Sequence, residues 1–592
     1  MTPTRIAQRL LLAVLLFFSL NTFAADDAPM RAMKDELARS MAQIQLLKMD
    51  RPYFLAYRMD DLNQLDISAM LGSLTQHQPT RMRFIGVEVR VGDYALDNSN
   101  YFSARSFAGG MQGMLSSIRQ ASTDDDYQQL RRSFWLATDA EYKRALEDLS
   151  AKRAALAAQN HTGGVPDFTK APVNTQLQPL VAIAVPQQDL EVLARDLSAV
   201  FRTMPGVYGS SVAIQYRDHF TRYINSDGSV FTRSQPMLKI QINAQTQAPD
   251  GTPVSDSLEF YGHTLADLPA KADLLARTRA MGDRILKLRA APSEDHYNGP
   301  VLFEGEAAPE ILMQQFADGL VATRTPVSDD ARFEMFFNQL MSQMGGNSFA
   351  DKIGGRVLPD FLSLSDNPLL ASYHGALLLG ASRIDDDAVA TRETKLVDHG
   401  LLKTLLATRV PTKAVPQSTG SRRGWGPAPS NLIVATDKAT TEADLRADLL
   451  RRVKERGLGY GIVVRHVGGG GSASFIQRAA QMAQQGGQAG TSLAEVYRLY
   501  PDGHEEPVKG VEISDMNAAQ FRDIVAAGDT PAVYTDEFIP RVGALFSLGT
   551  SASTDQPVVS CVAPDLLFEE LSLTGSQGPF PNPPIGPSPL AK

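Results

Sequence analysis

Residues 211–244 read SVAIQYRDHFTRYINSDGSVFTRSQPMLKIQINA, and this stretch decides the fold. It breaks into four strand-like runs: Ser211–Arg217, His219–Ile224, Val230–Arg233 and Leu238–Ala244. Between the second and third lies Asn225-Ser226-Asp227-Gly228, whose Asp-Gly pair tolerates the positive φ of a tight hairpin. Helical periodicity flanks the series, with Asp189–Phe201 before it and Leu265–Ala290, rich in Ala, Leu, Arg and Lys, after it. Helices flanking hairpin-linked strands are the order of an α+β domain built on an antiparallel sheet.

Upstream, Met33, Leu37, Met41, Ile44 and Leu47 recur at helical spacing, which predicts an amphipathic helix over Met30–Met49, ended by Pro52. Tyr53–Tyr57 and Arg81–Val91 read as strands. In the second, Val87, Val89 and Val91 alternate with Glu88 and Arg90, which predicts a sheet with one solvated face. Ser122–Gln159 is helical, with Asp124, Asp125 and Asp126 where acids favour a helix N-terminus. Thr138 with Glu141 fits a second capping box and divides this stretch into two helices. Asn160–Pro166 is a loop.

Downstream, residues 291–295 read as a linker, Gly299–Phe303 as a new strand and Ala308–Leu320 as a helix. The remainder is rich in short β runs, Gly and Pro, which predicts a β-dominated second domain. Gly468–Gly471 and Gly486-Gly487 mark loops, and Gly578–Lys592 is a Pro-rich extended tail. The predicted organisation is a leader (1–24), an α+β domain (25–290, with a helical insertion at about 122–159), a β-rich domain (296–575) and a tail (576–592).

The leader has the parts of an export signal. Arg5 and Arg9 precede the apolar run Leu10–Leu20, and small residues follow around Ala24-Ala25. The run is shorter than the ~20 apolar residues a spanning helix needs, so cleavage is expected, with no stable membrane span left. No Cys at the cut offers a lipid anchor. Export points to the periplasm or beyond. A formal charge of -9 argues against a nucleic-acid partner, which would need a basic face. A single Cys, Cys561, excludes an internal disulfide, and 592 residues allow stability from core burial instead.

Several segments then recur in a recognisable order. They are Tyr223–Gly228 with Glu259-Phe260-Tyr261-Gly262; Gly299–Phe303; Leu364–Pro368, Tyr373-His374-Gly375 and Ile384–Asp387; Lys395–Lys403; Ser418–Arg423; and Glu506–Gly510 with Ala526–Asp529. Each alone is weak. Asp385-Asp386-Asp387 and Arg422-Arg423, read by themselves, are a solvated loop and a simple turn. Their shared order across most of the chain resembles the TldD/PmbA family of peptidase-related proteins.

The resemblance implies a zinc peptidase chemistry that the residues here do not supply. Active members carry an HExxxH helix after the opening strand of the C-terminal domain, and a later Cys. Two His on one helical face can share a metal while the Glu acts as base on bound water. Here that place reads Leu302–Glu310 and has no His. None of the nine His residues precedes Glu and a second His at helical spacing. His504-Glu505-Glu506 is followed by Pro507 and reads as a turn. In the family the Cys stands just before a stretch that Ser551–Gln556 matches best, so Cys561 falls after the ligand position and reads as a buried apolar Cys. No G-x-S-x-G elbow or P-loop is present.

These absences resemble the PmbA type, which pairs with a metal-bearing TldD-type subunit around a cavity for unfolded peptides. The expectation is therefore no catalytic or metal-binding residue in this chain, no cofactor of its own, and zinc only in a TldD-like exported partner. Arg356, His374, Arg422 and Arg423 are candidates for holding an extended peptide by its carbonyls or terminal carboxylate. The alternatives are a stand-alone envelope peptide-binding or scaffold protein, as a homodimer, and an active hydrolase using an atypical site at His374, Asp385 and Asp386.

Overall fold

The turn at Asn225–Gly228 forms as read, with Gly228 at φ 101° and Asn225 N–H donating to the Ser229 carbonyl at 3.1 Å. The computed structural model describes residues 27–102, 118–159, 164–328, 349–424, 426–468, 491–513, 518–538 and 557–576, with isolated positions elsewhere. The leader, Gly469–Gly471, Gly486-Gly487, Ser551–Gln556 and most of the tail lie outside the described residues.

The chain opens with α1 (Ala28–Gln43), β1 (Pro52–Met70), β2 (Ser73–Val91) and α2 (Tyr127–Ala158). Then come α3 (Gln187–Ala199), β3 (Gly209–Asn225), β4 (Val230–Gln247), β5 (Pro253–Gly262) and α4 (Lys271–Ala290). Among the described residues the strands form a seven-stranded sheet. Its core order is β2-β1-β3-β4-β5, all antiparallel, with short strands Ile118–Ala121 beside β2 and Thr175–Leu177 beside β4. The four strand-like runs of residues 211–244 are therefore two long strands. Ile214 faces Ile240 and Tyr223 faces Phe231 across them.

One face of this sheet is helical. Leu55, Tyr57 and Met59 pack on α1 and α2, while Leu65, Ile67 and Ile214 pack on α3 and α4. The other face, expected to be solvated, is buried against the second domain. Phe54, Ala56, Tyr223 and Phe231 meet Ile384 and Ala388 there. Arg90 on this face and Arg83 on the helical face are each 2% exposed, paired with Asp97 at 2.8 Å and Asp61 at 2.5 Å. Buried charge is tolerated because it is paired. Only the hairpin tip, from Ser73 to Arg81, stays largely in water.

Three helices differ from the reading. α1 stops at Gln43, because residues 44–50 turn away and are tied to α2, Tyr142 Oη donating to the Asp50 carbonyl at 2.7 Å. α2 is one helix of 32 residues, not two. Thr138 Oγ1 donates to the Phe134 carbonyl at 2.7 Å, an in-helix bond four residues back, and Glu141 turns to Arg144, so neither caps anything. Leu265–Ala290 is split by Pro269, which cannot continue a helix, into a short 3₁₀ turn and α4. At the start, Asp27 accepts Met30 N–H at 2.8 Å as the cap of α1 and also pairs with Arg222.

The second domain begins with β6 (His296–Phe303) and α5 (Ala307–Gln315) and continues through β7 (Leu362–Asp366), β8 (Asn431–Thr436), α6 (Glu442–Glu455), β9 (Gly461–His466), β10 (Ile524–Glu537) and β11 (Val558–Gly575). The strand β11 is the hub of a sheet of thirteen strands among the described residues. It pairs antiparallel with β6 and β10 and parallel with β8. Cys561 lies on it, 1% exposed, and burial pushes its thiol well up. His504 does sit in the turn between strands Glu495–Leu499 and Glu505–Val508.

The two domains are joined by buried ion pairs. Asp386 accepts from Arg58 of β1 at 2.9 Å and from Arg233 of β4 at 2.6 Å. Asp387 takes Arg422 at 2.5 Å and Arg409 N–H at 3.0 Å, while the Arg409 guanidinium crosses to Asp227 at 2.9 Å. Burial opposes charge on Asp386, yet Arg58 and Arg233 hold its carboxyl far below the usual range. The triple-Asp run is thus buried, Asp386 and Asp387 on arginines and Asp385 on the N–H groups of Asp387, Val389 and Arg422, and is not a solvated loop. Removing one partner strands a buried charge, so Asp386→Asn should lower unfolding free energy in urea titration by about 3–5 kcal/mol.

Candidate functional site

Between the domains lies a cleft of about 1120 Å³. Its N-terminal wall is β5 and the start of α4. Its C-terminal wall is β10, the β6–α5 turn and the end of β9. Consecutive residues of β5 (Ser257–Tyr261) and of β10 (Thr530–Thr535) line it. Side chains of a strand alternate between faces, so a run of neighbours in the lining means each strand presents its edge. Pairing agrees: among the described residues β5 pairs only with β4, and beyond Gly528 β10 pairs only with β11. Open edges carry unpaired backbone N–H and C=O groups.

The floor is built by a carboxylate–histidine–carboxylate row. His466, at the end of β9, places Nδ1 2.8 Å from Asp256 of β5, and its Nε2 lies 3.6 Å from Glu310 of α5. Glu310 accepts N–H groups of Val467 and Gly468 at 2.8 and 2.9 Å. Asp256 also accepts Arg284 Nε of α4 at 2.9 Å. Burial works against charge on His466, but Glu310 and Asp256 outweigh it and lift the imidazole to about 9. At neutral pH the ring is therefore held as a cation between two acids, which does not suit it as a general base.

At one end of β10 a second polar nest links the domains. Tyr261 Oη donates to Glu259 at 2.7 Å and lies 3.2 Å from Asp536, to which Tyr534 donates at 3.0 Å. Burial and then the neighbouring Glu259 push the Asp536 carboxyl up to about 7.

The resemblance places a metal helix where α5 stands. The residues there do not fit zinc. Both Glu310 oxygens are taken by backbone donors and His466 is protonated. Among the described residues no three His, Cys, Asp or Glu side chains are arranged to hold a metal.

None of the four candidate peptide-binding residues lines the cleft. Arg356 is exposed next to Leu401. Arg422 is buried on Asp387, with Glu88 at 3.7 Å. Arg423 donates to the carbonyls of Gly380 and Val558. His374 is exposed at a hairpin turn, stacked on Tyr373 with centroids 4.4 Å apart, though its hairpin neighbours Ser372 and Gly375 do line the cleft. His374 makes no hydrogen bond or ion pair with Asp385 or Asp386 among the described residues, so the atypical hydrolase site is not assembled. The sequence reading missed Asp256, Glu310 and His466. Their one signal is position: His466 ends an apolar strand and runs into a Gly-rich loop, a place where strand ends border clefts.

Because His466 is charged more readily in the folded state than its ordinary 6.5, the stability it lends is complete below pH 6.5 and lost as pH rises through about 9. Denaturation midpoints followed from neutral to alkaline pH should fall for the native chain, and His466→Asn should flatten that fall.

Comparison with known proteins completes the picture. Residues 298–575 match the PmbA/TldA metallopeptidase C-terminal domain. No curated protein matches the chain. Among solved structures, a candidate modulator of a DNA gyrase from Thermotoga maritima aligns at 16% identity and TM-score 0.53, covering 88% of this chain and 96% of that one. A candidate gyrase modulator from Bacteroides thetaiotaomicron aligns at 12% identity and TM-score 0.54, covering 93% and 98%. TldE from Thermococcus kodakarensis aligns at 12% identity and TM-score 0.51, covering 92% and 100%. The structural likenesses establish the fold across both domains. Residues 298–575 thus form a C-terminal domain of the PmbA/TldA metallopeptidase family, and the chain as a whole shares the fold of these structures.

Proposed function

We propose that this chain is the non-catalytic subunit of an exported TldD/PmbA-type peptidase, and that it holds an extended peptide in the inter-domain cleft. The observation that carries the reading is the cleft floor. At the place of the family's metal helix stands Glu310, bound to backbone N–H groups and facing a charged His466. Such a floor offers no hydrolytic base and no zinc, while two open strand edges above it suit strand addition by a peptide. Main-chain pairing of this kind accepts many sequences, as a chamber for unfolded peptides requires. Hydrolysis then belongs to a TldD-like partner carrying HExxxH. The leader at residues 1–24 supports a periplasmic address for both.

The test is purification of the tagged chain from the envelope fraction. The expected result is a mature chain beginning at Ala25, co-eluting with a second exported chain that carries HExxxH and the zinc. Peptide cleavage should need both. A homodimer with no companion overturns the subunit reading, and cleavage by this chain alone overturns the non-catalytic one.

A further inference from the structure

We propose that the cleft selects extended peptides bearing lysine or arginine, through a carboxylate rim formed by Glu306, Asp529 and Asp565. The inference rests on the peptide-holding reading and adds the chemical class of the peptide.

Charge in the cleft is unbalanced. Among the described residues its lining holds nine carboxylates against three arginines and one histidine. Two of the three arginines and the histidine are committed. Arg284 pairs with Asp256 and Glu495, Arg465 with Glu304 and Glu505, and His466 with Asp256. Arg277 lies over the Phe260 ring and makes no ion pair among the described residues. Four of the anions have no cation partner; one, Asp267, accepts the His263 and Thr264 N–H groups as the cap of a short turn, and the other three form the rim. Glu306 and Asp529 are exposed and pair with no cation among the described residues, and Asp565 accepts only the Gly305 N–H, at 2.7 Å. Burial, followed by the repulsion of Glu304, Glu442 and Asp529, pushes the Asp565 carboxyl up to about 6. Arg446 and Arg465 are taken by Glu304, Glu442 and Glu505, so the three rim carboxylates have no partner cation of their own.

The rim stands where a bound strand would end. The β10–β11 ladder shifts register between Ala527 and Pro531, so Gly528–Thr530 leave the ladder and Asp529 heads the open edge at Thr530–Thr535. The Gly305 turn, at φ 59°, is fixed to β11 by Asp565 and carries Glu306 beside it. A peptide strand laid on the β10 edge meets these carboxylates at one end. A lysine or arginine there, on a long flexible stem, supplies the missing cation, while an acidic side chain is repelled.

The test uses dye-labelled ten-residue peptides of Thr, Val and Ser carrying three Lys, three Gln or three Glu, titrated by fluorescence anisotropy onto the full mature chain. The Lys peptide should bind about tenfold tighter than the Gln peptide at low salt and the Glu peptide weakest, with the ratio shrinking as salt rises. In the double variant Glu306→Gln, Asp529→Asn, both at exposed positions, the Lys-to-Gln ratio should fall to about two. Equal binding of Lys and Gln peptides to the native chain overturns the charge selection and leaves the peptide reading standing. A ratio unchanged in the double variant overturns the assignment to this rim. Binding of none of the three overturns the peptide reading, and the selection with it.

Discussion

The carboxylate of Asp386, held between Arg58 and Arg233, fixes how the two halves of the molecule meet. Each arginine projects from the N-terminal sheet, and the aspartate comes from a loop of the second domain. With Arg422 on Asp387 and Arg409 on Asp227, the same boundary carries several charge pairs within a patch of aromatic and aliphatic contacts. Apolar burial alone would let two surfaces slide. Buried charges tolerate few alternative arrangements, because any displacement leaves one uncompensated in a medium of low dielectric.

The cleft turns a family architecture to a different chemical end. A helix follows the opening strand of the second domain and packs on the central sheet. Its carboxylate at Glu310 is spent on backbone N–H groups, and the nearest imidazole is held as a cation by two acids. A site tuned for hydrolysis keeps a base close to neutrality. This one holds its histidine charged. The polar machinery is structural, and the free capacity of the cleft lies in strand edges and in carboxylates without partners.

Much of the fold was legible in the sequence, and the reasons are local. The Asp227-Gly228 turn, the capping acid at Asp126 and the break at Pro269 act through their own backbone, so residue type is enough to find the first two; Pro269 was passed over although its signal is as direct. The family resemblance rested on the order of short motifs and needed no contact information. Long-range contacts were the blind spot. Glu88 and Arg90 look like a wet face until Asp97 and the second domain arrive to cover them. Thr138 and Glu141 look like a cap until the helix is seen to run through them. Asp256, Glu310 and His466 are more than 40 positions apart from one another in the chain and meet only because β5, α5 and β9 converge.

The strand β11 pairs with strands from the beginning, middle and end of its domain, and it is the last strand of the described chain. Until residues 558–575 are delivered, β6, β8 and β10 lack the partner that joins them into one sheet. The topology therefore postpones cooperative folding until nearly the whole polypeptide is available, a consequence of contacts between residues far apart in the chain. For a polypeptide made from its N-terminus, the latecomer strand is an internal timer. The domain is held open by what has not yet arrived and is closed by its final segment.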